Sequence, residues 1–334
     1  MATEGPAQLV LTASVARRYY LDGRSKVEIA EEFALSRFKV ARLLEDARSS
    51  GLVRIEIVHP GVVDVDLSGR LMDALGLQHC IVTDTPDEHP ATLRDHLGAA
   101  AADLLTEIVE PDDVLGLSWS RSVSAMATLL RRLAPVPVVQ LTGALARPGA
   151  DDSSIELVRE VARTAGGPAY FFYAPMAVPD AATARALRQQ PEVARAFSLI
   201  GSVTKAVVGV GAWEPEQSTL YDAAAEGERA QLTKLGVCAE VSGLLLDADG
   251  EPIATDLTER MIGITADQMR AVPEVIGIVY GPTKVRAVLA AVRGGLVDSL
   301  VTHSTLATAL VAQAQLEQAR PPARRRKPQR RAAP

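Results

Sequence analysis

Apolar residues recur at helical spacing in two short blocks near the start of the chain, Val27, Ile29, Ala30 and Phe33 in the first and Val40, Leu43, Leu44 and Ala47 in the second. A serine precedes each block. Ser25 with Glu28 behind it reads as a capping box, and Ser36 reads as a second helix cap. The pattern predicts a helix from Ser25 to about Ala34, a tight turn, and a second helix that Gly51 ends. An upstream helix over residues 10–22, with Tyr19 and Tyr20, would support the pair. Residues 53–58 alternate as a short strand or wing.

On the second helix Arg37, Lys39 and Arg42 lie off the apolar stripe, so positive charge collects on its exposed face near its start. In a helix-turn-helix that end meets base edges while surrounding cations meet phosphates. An ordinary helical hairpin with solvated charges has the same spacing. Net charge does not separate the two, because residues 1–58 carry nine Lys or Arg against eight Asp or Glu.

From about Asp64 the pattern becomes strands alternating with helices. Candidate strands cover 80–83, 114–118 and 136–141, with helices over 90–109, 122–133 and 153–164 between and after them. Further segments follow at 169–173, 181–188, 191–198, 206–210, 228–235, 243–247, 275–280, 282–293 and 299–302. Strands apolar on both faces, such as the one containing Val136, Val138 and Val139, predict a mostly parallel sheet covered by helices on both sides. Ligands of such folds sit at the carboxyl ends of the strands.

The most suggestive strand end is Gly116-Leu117-Ser118-Trp119-Ser120-Arg121-Ser122, where hydroxyls and an arginine stand at a helix start. Backbone N–H groups and the helix dipole there favour an anion such as phosphate, although serine-rich caps are also common structural devices. Gln140-Leu141-Thr142-Gly143, Gly209-Val210-Gly211 and Gly281-Pro282-Thr283-Lys284 end or follow three other strands. A lysine in the first turn of a helix opposes the dipole, so Lys284 calls for another reason, such as an anionic ligand.

Composition narrows the class. A chain of 334 residues that is 48% hydrophobic suggests one small and one large domain. The expected boundaries are 1–60, 61–316 and a basic tail over 317–334. The net charge of −6 hides an asymmetry, since residues 320–334 carry seven basic groups and no acid. Such a tail adds nonspecific phosphate affinity or merely solubility. Cys80 and Cys238 read as buried free thiols, and the five histidines (His59, His79, His89, His96, His303), expected mostly at the surface, form no spaced cluster. No metal or cofactor is implied. No signal peptide or membrane-spanning run is present, so a soluble cytoplasmic protein is expected.

The stretch ARRYYLDGRSKVEIAEEFALSRFKVARLLEDARSSGLVRIEI resembles the DNA-binding region of the SorC family of bacterial sugar-responsive transcriptional regulators. The motifs GLSWSRS, VVQLTGA, FYAPMAV, VVGVGAW, AEVSGLLLDADGEPI and VIGIVYGPTKVRAVLAAVRGGLVDSLVTHSTLATALV resemble that family's effector domain, in order, over residues 10–312. The resemblance implies an α/β protein. Its parts would be an N-terminal helix-turn-helix (winged-helix-like) domain and a doubly wound, mostly parallel effector domain of the ribose-5-phosphate isomerase / glucosamine-6-phosphate deaminase type, with catalysis lost.

Carried over by position, Ser25, Lys26, Ser36, Arg37, Phe38, Lys39 and Arg42 would face operator DNA. Ser118, Trp119, Ser120, Arg121 and Ser122 would hold an effector's phosphate with Thr142 and Gly143 nearby, Gly211 would also bind the effector, Glu240 would accept sugar hydroxyls, and Lys284 would meet an anionic or hydroxyl group. The implied partners are double-stranded operator DNA, a small sugar, polyol or sugar phosphate, and a second or further copies in a homodimer or homotetramer. Several positions depart from the family pattern: Ser120 for Gly, Ser122 for Thr, Ala239 for the Gly before the acid, Pro282 for a Gly, Thr302-His303-Ser304 for Thr-Asp-Glu, and Ala34 for the turn Gly. These leave the effector open. Phe38 is either a thymine contact or a packing residue. A sugar-phosphate isomerase or deaminase, and a regulator answering to an unphosphorylated sugar, are the competing functions. An acid paired with a histidine at a strand end is not evident for the enzyme.

Overall fold

A computed structural model describes residues 5–53, 63–85, 89–145 and 154–318. The chain forms two compact units, residues 1–58 and 59–334.

In the first unit α1 (Pro6–Tyr20), α2 (Lys26–Glu32) and α3 (Arg37–Ser49) surround a core of Val15, Ala16, Ile29, Ala30, Val40, Leu43, Leu44 and Ala47. α1 starts ahead of the expected residue 10 because Pro6 suits a first helical turn, where its missing N–H leaves no bond unmade. The seven-residue α2 is too short to persist alone and is set by its cap and its neighbours. The Ser25 hydroxyl accepts the Glu28 N–H at 3.3 Å, and the Glu28 carboxylate accepts the Ser25 N–H at 2.8 Å, which is the expected capping box. Those hydrogen bonds, that of the side chain first, hold the Glu28 carboxyl below the usual carboxylate range. Arg18 reaches from α1 to Glu32 of α2 at 2.8 Å, and Arg24 adds a second bond to the same carboxylate at 3.3 Å. Ser36 caps α3 by accepting the Lys39 N–H at 3.2 Å.

Val27 departs from the expected stripe, standing 51% exposed beside the buried Ile29 and Ala30. The turn holds Ala34 at φ +52°, a left-handed conformation that glycine adopts without strain. Of the wing expected over residues 53–58, all but Val53 lies outside the described residues.

The second unit holds nine strands among the described residues: β1 (Cys80–Thr83), β2 (Leu115–Leu117), β3 (Val138–Gln140), β4 (Ala169–Tyr170), β5 (Lys205–Ala212), β6 (Ala239–Val241), β7 (Leu244–Leu246), β8 (Glu274–Ile278) and β9 (Ser299–His303). The order β1-β9-β8-β5-β2-β3-β4 is parallel throughout, and β6 with β7 forms an antiparallel hairpin on the far end of β5. Side chains alternate through the sheet. Ala206, Val208 and Val210 of β5 join a core with the helices Val65–Leu75, Val285–Arg293 and Ser304–Gln318, whereas Val207 joins a second core with Pro90–Ile108, Arg121–Leu129 and Ser154–Ala165. Both faces are therefore covered, which explains the fully apolar strands.

Two of those helices escaped the sequence reading. Val65–Leu75 has an Asp64 cap and a Gly76 stop at φ +68°, both of them helix-end signals that the sequence carries. Ser304–Gln318 buries Leu306, Ala307, Leu310, Val311 and Ala314 on one face, a stripe that Ala309, Ala312 and Leu316 blur on the other. β4 stops at Tyr170, short of the expected 173, because the Phe172 N–H is taken by the Gln140 side chain at 3.0 Å. The chain runs from β2 outward to β3 and β4, then returns to β5 on the other side of β2. That reversal makes the carboxyl ends of β2 and β5 the switch point of the sheet. No helix among the described residues is long and apolar enough to cross a membrane.

Candidate functional site

A cavity of about 400 Å³ opens at that switch point, lined from the ends of β2, β3, β5 and β8 by Ser118–Ser122, Thr142–Gly143, Gly209–Gly211 and Gly281–Lys284. All four loops singled out in the sequence thus converge. At β2 the chain enters the helix Arg121–Leu129 with Ser120 as its cap, its hydroxyl accepting the Val123 N–H at 3.1 Å. Ser118 and Ser122 are buried, with Ser118 Oγ 3.5 Å from Thr142 Oγ1 of the neighbouring loop. Arg121 is exposed on the first turn, so this corner combines hydroxyls, free-ended helix N–H groups and one cation. Ser120 fits because β5 carries Gly209 beside it. A Cβ on Gly209 would lie 2.7 Å from the Ser120 Cβ and Oγ.

The glycines at 209 and 211 lie inside β5, not after it as expected. The hairpin β6–β7 supplies an antiparallel partner that prolongs the strand beyond the parallel sheet, pairing Gly211 with Glu240. A Cβ at Gly211 would meet Ser218 Cβ at 2.8 Å and Glu240 Oε2 at 3.1 Å, so the missing side chain makes room for the acid. Glu240 is 8% exposed; its carboxylate accepts the Gly243 N–H at 2.6 Å and the Ser218 hydroxyl at 3.3 Å. Burial pushes its carboxyl above the usual carboxylate range against those two bonds and the nearby Lys284.

Lys284 is the last residue of a 3-10 turn, Pro282–Lys284, and not within the first turn of the α-helix that follows. Its ammonium donates to the Val210 carbonyl at 2.9 Å and stands 5.5 Å from the Tyr280 ring centre. Burial lowers its pKa to about 8, with Glu240 opposing and Arg121 adding to the effect. One corner of the cavity therefore gathers cations, hydroxyls and helix N–H groups, and the Glu240 side is rich in acceptors and hydroxyls.

Sequence reasoning missed several lining residues. Glu216, Gln217 and Ser218 come from the loop after β5, where Gln217 accepts the Thr283 hydroxyl at 3.2 Å and so ties this loop to the Gly281–Lys284 loop. Ser242 sits in the β6–β7 turn; a Ser-Gly pair between two apolar triplets was a readable hairpin signal. His303, at the end of β9, is an exception to the expectation that the histidines lie mostly at the surface, being 1% exposed and part of the cavity wall. An acid and a histidine thus do share the cavity. His79 also has a structural role, its Nδ1 lying 2.7 Å from the buried Glu274 at the opposite end of the strands.

Cys80 and Cys238 are free and buried as expected, and burial pushes the Cys80 thiol up to about 12. Among the described residues no group of three His, Cys, Asp or Glu could hold a metal ion.

In the first unit, Ser25 and Ser36 act as caps, and the Lys26 ammonium lies 5.6 Å from the Tyr19 ring centre. Arg37 and Phe38 open α3 with exposed side chains, and Lys39 behind them is half-buried. Phe38 is 88% exposed and so does not pack into the core of its own unit. Arg42 lies one turn further on, 4.0 Å from Asp46.

The family model described as "Putative sugar-binding domain" matches residues 60–312. Among curated proteins, the chain is 28% identical over 313 residues to the transcriptional regulator LsrR of Klebsiella pneumoniae, covering 92% of this chain and 94% of that one. It is 28% identical over 305 residues to the uncharacterized transcriptional regulator YjhU of Escherichia coli K12, covering 88% and 92%. Among solved structures, the full-length sorbitol operon regulator SorC from Klebsiella pneumoniae superposes with a TM-score of 0.71 at 22% identity, covering 91% of this chain and 99% of that one. A transcriptional regulator from Streptococcus pneumoniae TIGR4 gives 0.68 at 22%, covering 75% and 97%.

Proposed function

Because the chain belongs to the sugar-binding domain family, with LsrR- and SorC-type transcriptional regulators as its relatives, we propose that it is a sugar-responsive DNA-binding regulator of transcription. The observation that carries this reading is the joint presence of two built devices in one chain. One is the capped α2–α3 pair with basic residues and Phe38 on its open end; the other is the switch-point cavity with an anion corner and a hydroxyl-accepting side.

The effector is a small phosphorylated sugar or polyol. Its phosphate takes the N-terminus of the helix Arg121–Leu129, with hydrogen bonds from Ser118, Ser120 and Ser122 and charge from Arg121 and Lys284. Its hydroxyls face Glu240, which accepts them. Thr142, Gly143 and Gly211 shape the floor. The operator is contacted through Arg37, Lys39 and Arg42 at phosphates or base edges, with Phe38 against a thymine methyl and Lys26, Ser25 and Ser36 near the backbone. One helix-turn-helix of this size binds weakly, so the chain acts as a homodimer or homotetramer that reads two half-sites, and it does so in the cytoplasm. Ligand can switch such a protein only by binding its DNA-competent and incompetent arrangements with different affinity.

A second reading, catalysis on a sugar phosphate, gains one observation from the cavity that Glu240 and His303 share. Incubation of the protein with sugar phosphates separates the two: saturable stabilisation without product supports the sensor, and turnover contradicts it. Within the sensor reading, Arg121→Ala should weaken a phosphorylated probe by roughly tenfold to a hundredfold, the range of a lost charge-assisted hydrogen bond, while leaving its unphosphorylated counterpart unchanged. Calorimetric titration with both probes decides it. Equal losses for the two would remove the phosphate from the Arg121 corner.

A further inference from the structure

Ser242 carries two unfavourable features at once. Its side chain is 7% exposed, and its hydroxyl meets no hydrogen-bond partner among the described residues. A buried hydroxyl left so is destabilising by roughly 1–3 kcal/mol. Its backbone is at φ +54°, followed by Gly243 at φ +84°, the pair of positive φ values that a two-residue hairpin turn of the favoured type requires. Glycine would satisfy the first of these positions without strain and would bury no hydroxyl. Among the described residues three non-glycine residues hold positive φ, and two of them, Glu216 and Ser242, line the cavity. Strain concentrated at a binding wall points to a use for the side chain there.

The turn also explains what that use is. The Gly243 N–H anchors one oxygen of Glu240 at 2.6 Å, so the geometry that forces Ser242 into its left-handed conformation also fixes the carboxylate two residues before it. Ionised, Glu240 only accepts hydrogen bonds, whereas the Ser242 hydroxyl both donates and accepts. The two line the same cavity.

Resting on the sugar-effector reading, we propose that Ser242 is a specificity contact: its hydroxyl bonds a ligand hydroxyl adjacent to the one that Glu240 accepts, so that the site selects ligands with neighbouring hydroxyls over their deoxy analogues. In the unliganded protein the hydroxyl is a liability; in the complex it is satisfied.

The test uses the full chain with Ser242→Ala and Ser242→Gly. Melting temperatures are first measured without ligand. Both variants should be at least as stable as the wild type, and a drop of several degrees in Ser242→Ala would overturn the proposal, because the hydroxyl would then have a partner at rest. The wild type is next titrated with pentose, hexose and hexitol phosphates, their unphosphorylated forms and inorganic phosphate. The best hydroxylated probe should bind Ser242→Ala roughly tenfold more weakly, one lost hydrogen bond, with competition by inorganic phosphate unchanged. The deoxy analogue should bind wild type and Ser242→Ala alike. Unaltered affinity of the hydroxylated probe for Ser242→Ala overturns the Ser242 assignment and leaves the effector reading standing. Failure of every probe to bind the wild type overturns the effector reading itself, and this proposal with it.

Discussion

Ala34 is the residue at which the first unit is most plainly strained. A left-handed alanine carries a steric penalty of roughly 1–2 kcal/mol, while glycine's freer unfolded chain offsets about 0.5–1 kcal/mol of any relief. Ala34 is exposed, so little burial is at stake. Ala34→Gly should therefore stabilise the first unit by up to about 1 kcal/mol, read as a higher urea midpoint. In the cavity, Lys284 titrates at about 8, below its usual value, chiefly because it is buried. The unfolded chain then holds more protons between about pH 8 and the ordinary lysine range, so stability should rise with pH across that interval. The Lys284→Met variant should lose this rise. Affinity for a phosphorylated probe should move oppositely, falling above about pH 8 as the ammonium is lost, and a flat profile would remove Lys284 from the anion corner. Glu240 shifts the other way through burial, so its share of stability is present at low pH and lost as pH climbs through the carboxylate range. Glu240→Gln should flatten that decline. Residues at strand ends, Ser118 to Ser122 above all, were readable because hydroxyls and a charge interrupt an apolar run. Ser242 and His303 were not, since nothing in a one-dimensional pattern says that a turn serine is buried or that the end of β9 reaches the cavity wall.

At the scale of elements, the hairpin β6–β7 decides where Glu240 stands, because it pairs Gly211 with the acid and prolongs β5. Gly211→Ala would place a Cβ 2.8 Å from Ser218 and 3.1 Å from Glu240 Oε2. It should lower the melting temperature and weaken a hydroxylated probe more than inorganic phosphate. Equal weakening of both would mean that the hairpin does not position the hydroxyl side. For α3 the expectation is a split between contacts. Arg37→Ala with Arg42→Ala should reduce operator binding uniformly across sequences and shallow its salt dependence, whereas Phe38→Ala should change preference at one position, by about 1–3 kcal/mol if it reads a base edge. A competition shift assay with base-substituted operators separates them. These elements differed in legibility for physical reasons. The α2–α3 pair announced itself through caps that must satisfy orphan N–H groups close in sequence. The antiparallel hairpin lay hidden, since AEV and LLL read like one more buried parallel strand until the Ser-Gly turn between them is weighed.

Across the whole molecule, the alternation of apolar strands and helices carried the doubly wound sheet, and parallel order with a reversal between β2 and β5 then dictated where a ligand would sit. The same pattern put four loops at one sheet edge, and the structure brings them together; which of them are neighbours depends on strand order and not on sequence distance. In the proposed sensor, occupancy of this cavity sets DNA affinity. The most direct measurement is the dissociation constant for the chain's own upstream DNA, taken with and without a saturating concentration of its best sugar-phosphate probe. The expected change is roughly fivefold or more, and by linkage the DNA must change the probe's affinity by the same factor. Identical DNA affinity in the two conditions, with the probe demonstrably bound, would contradict it.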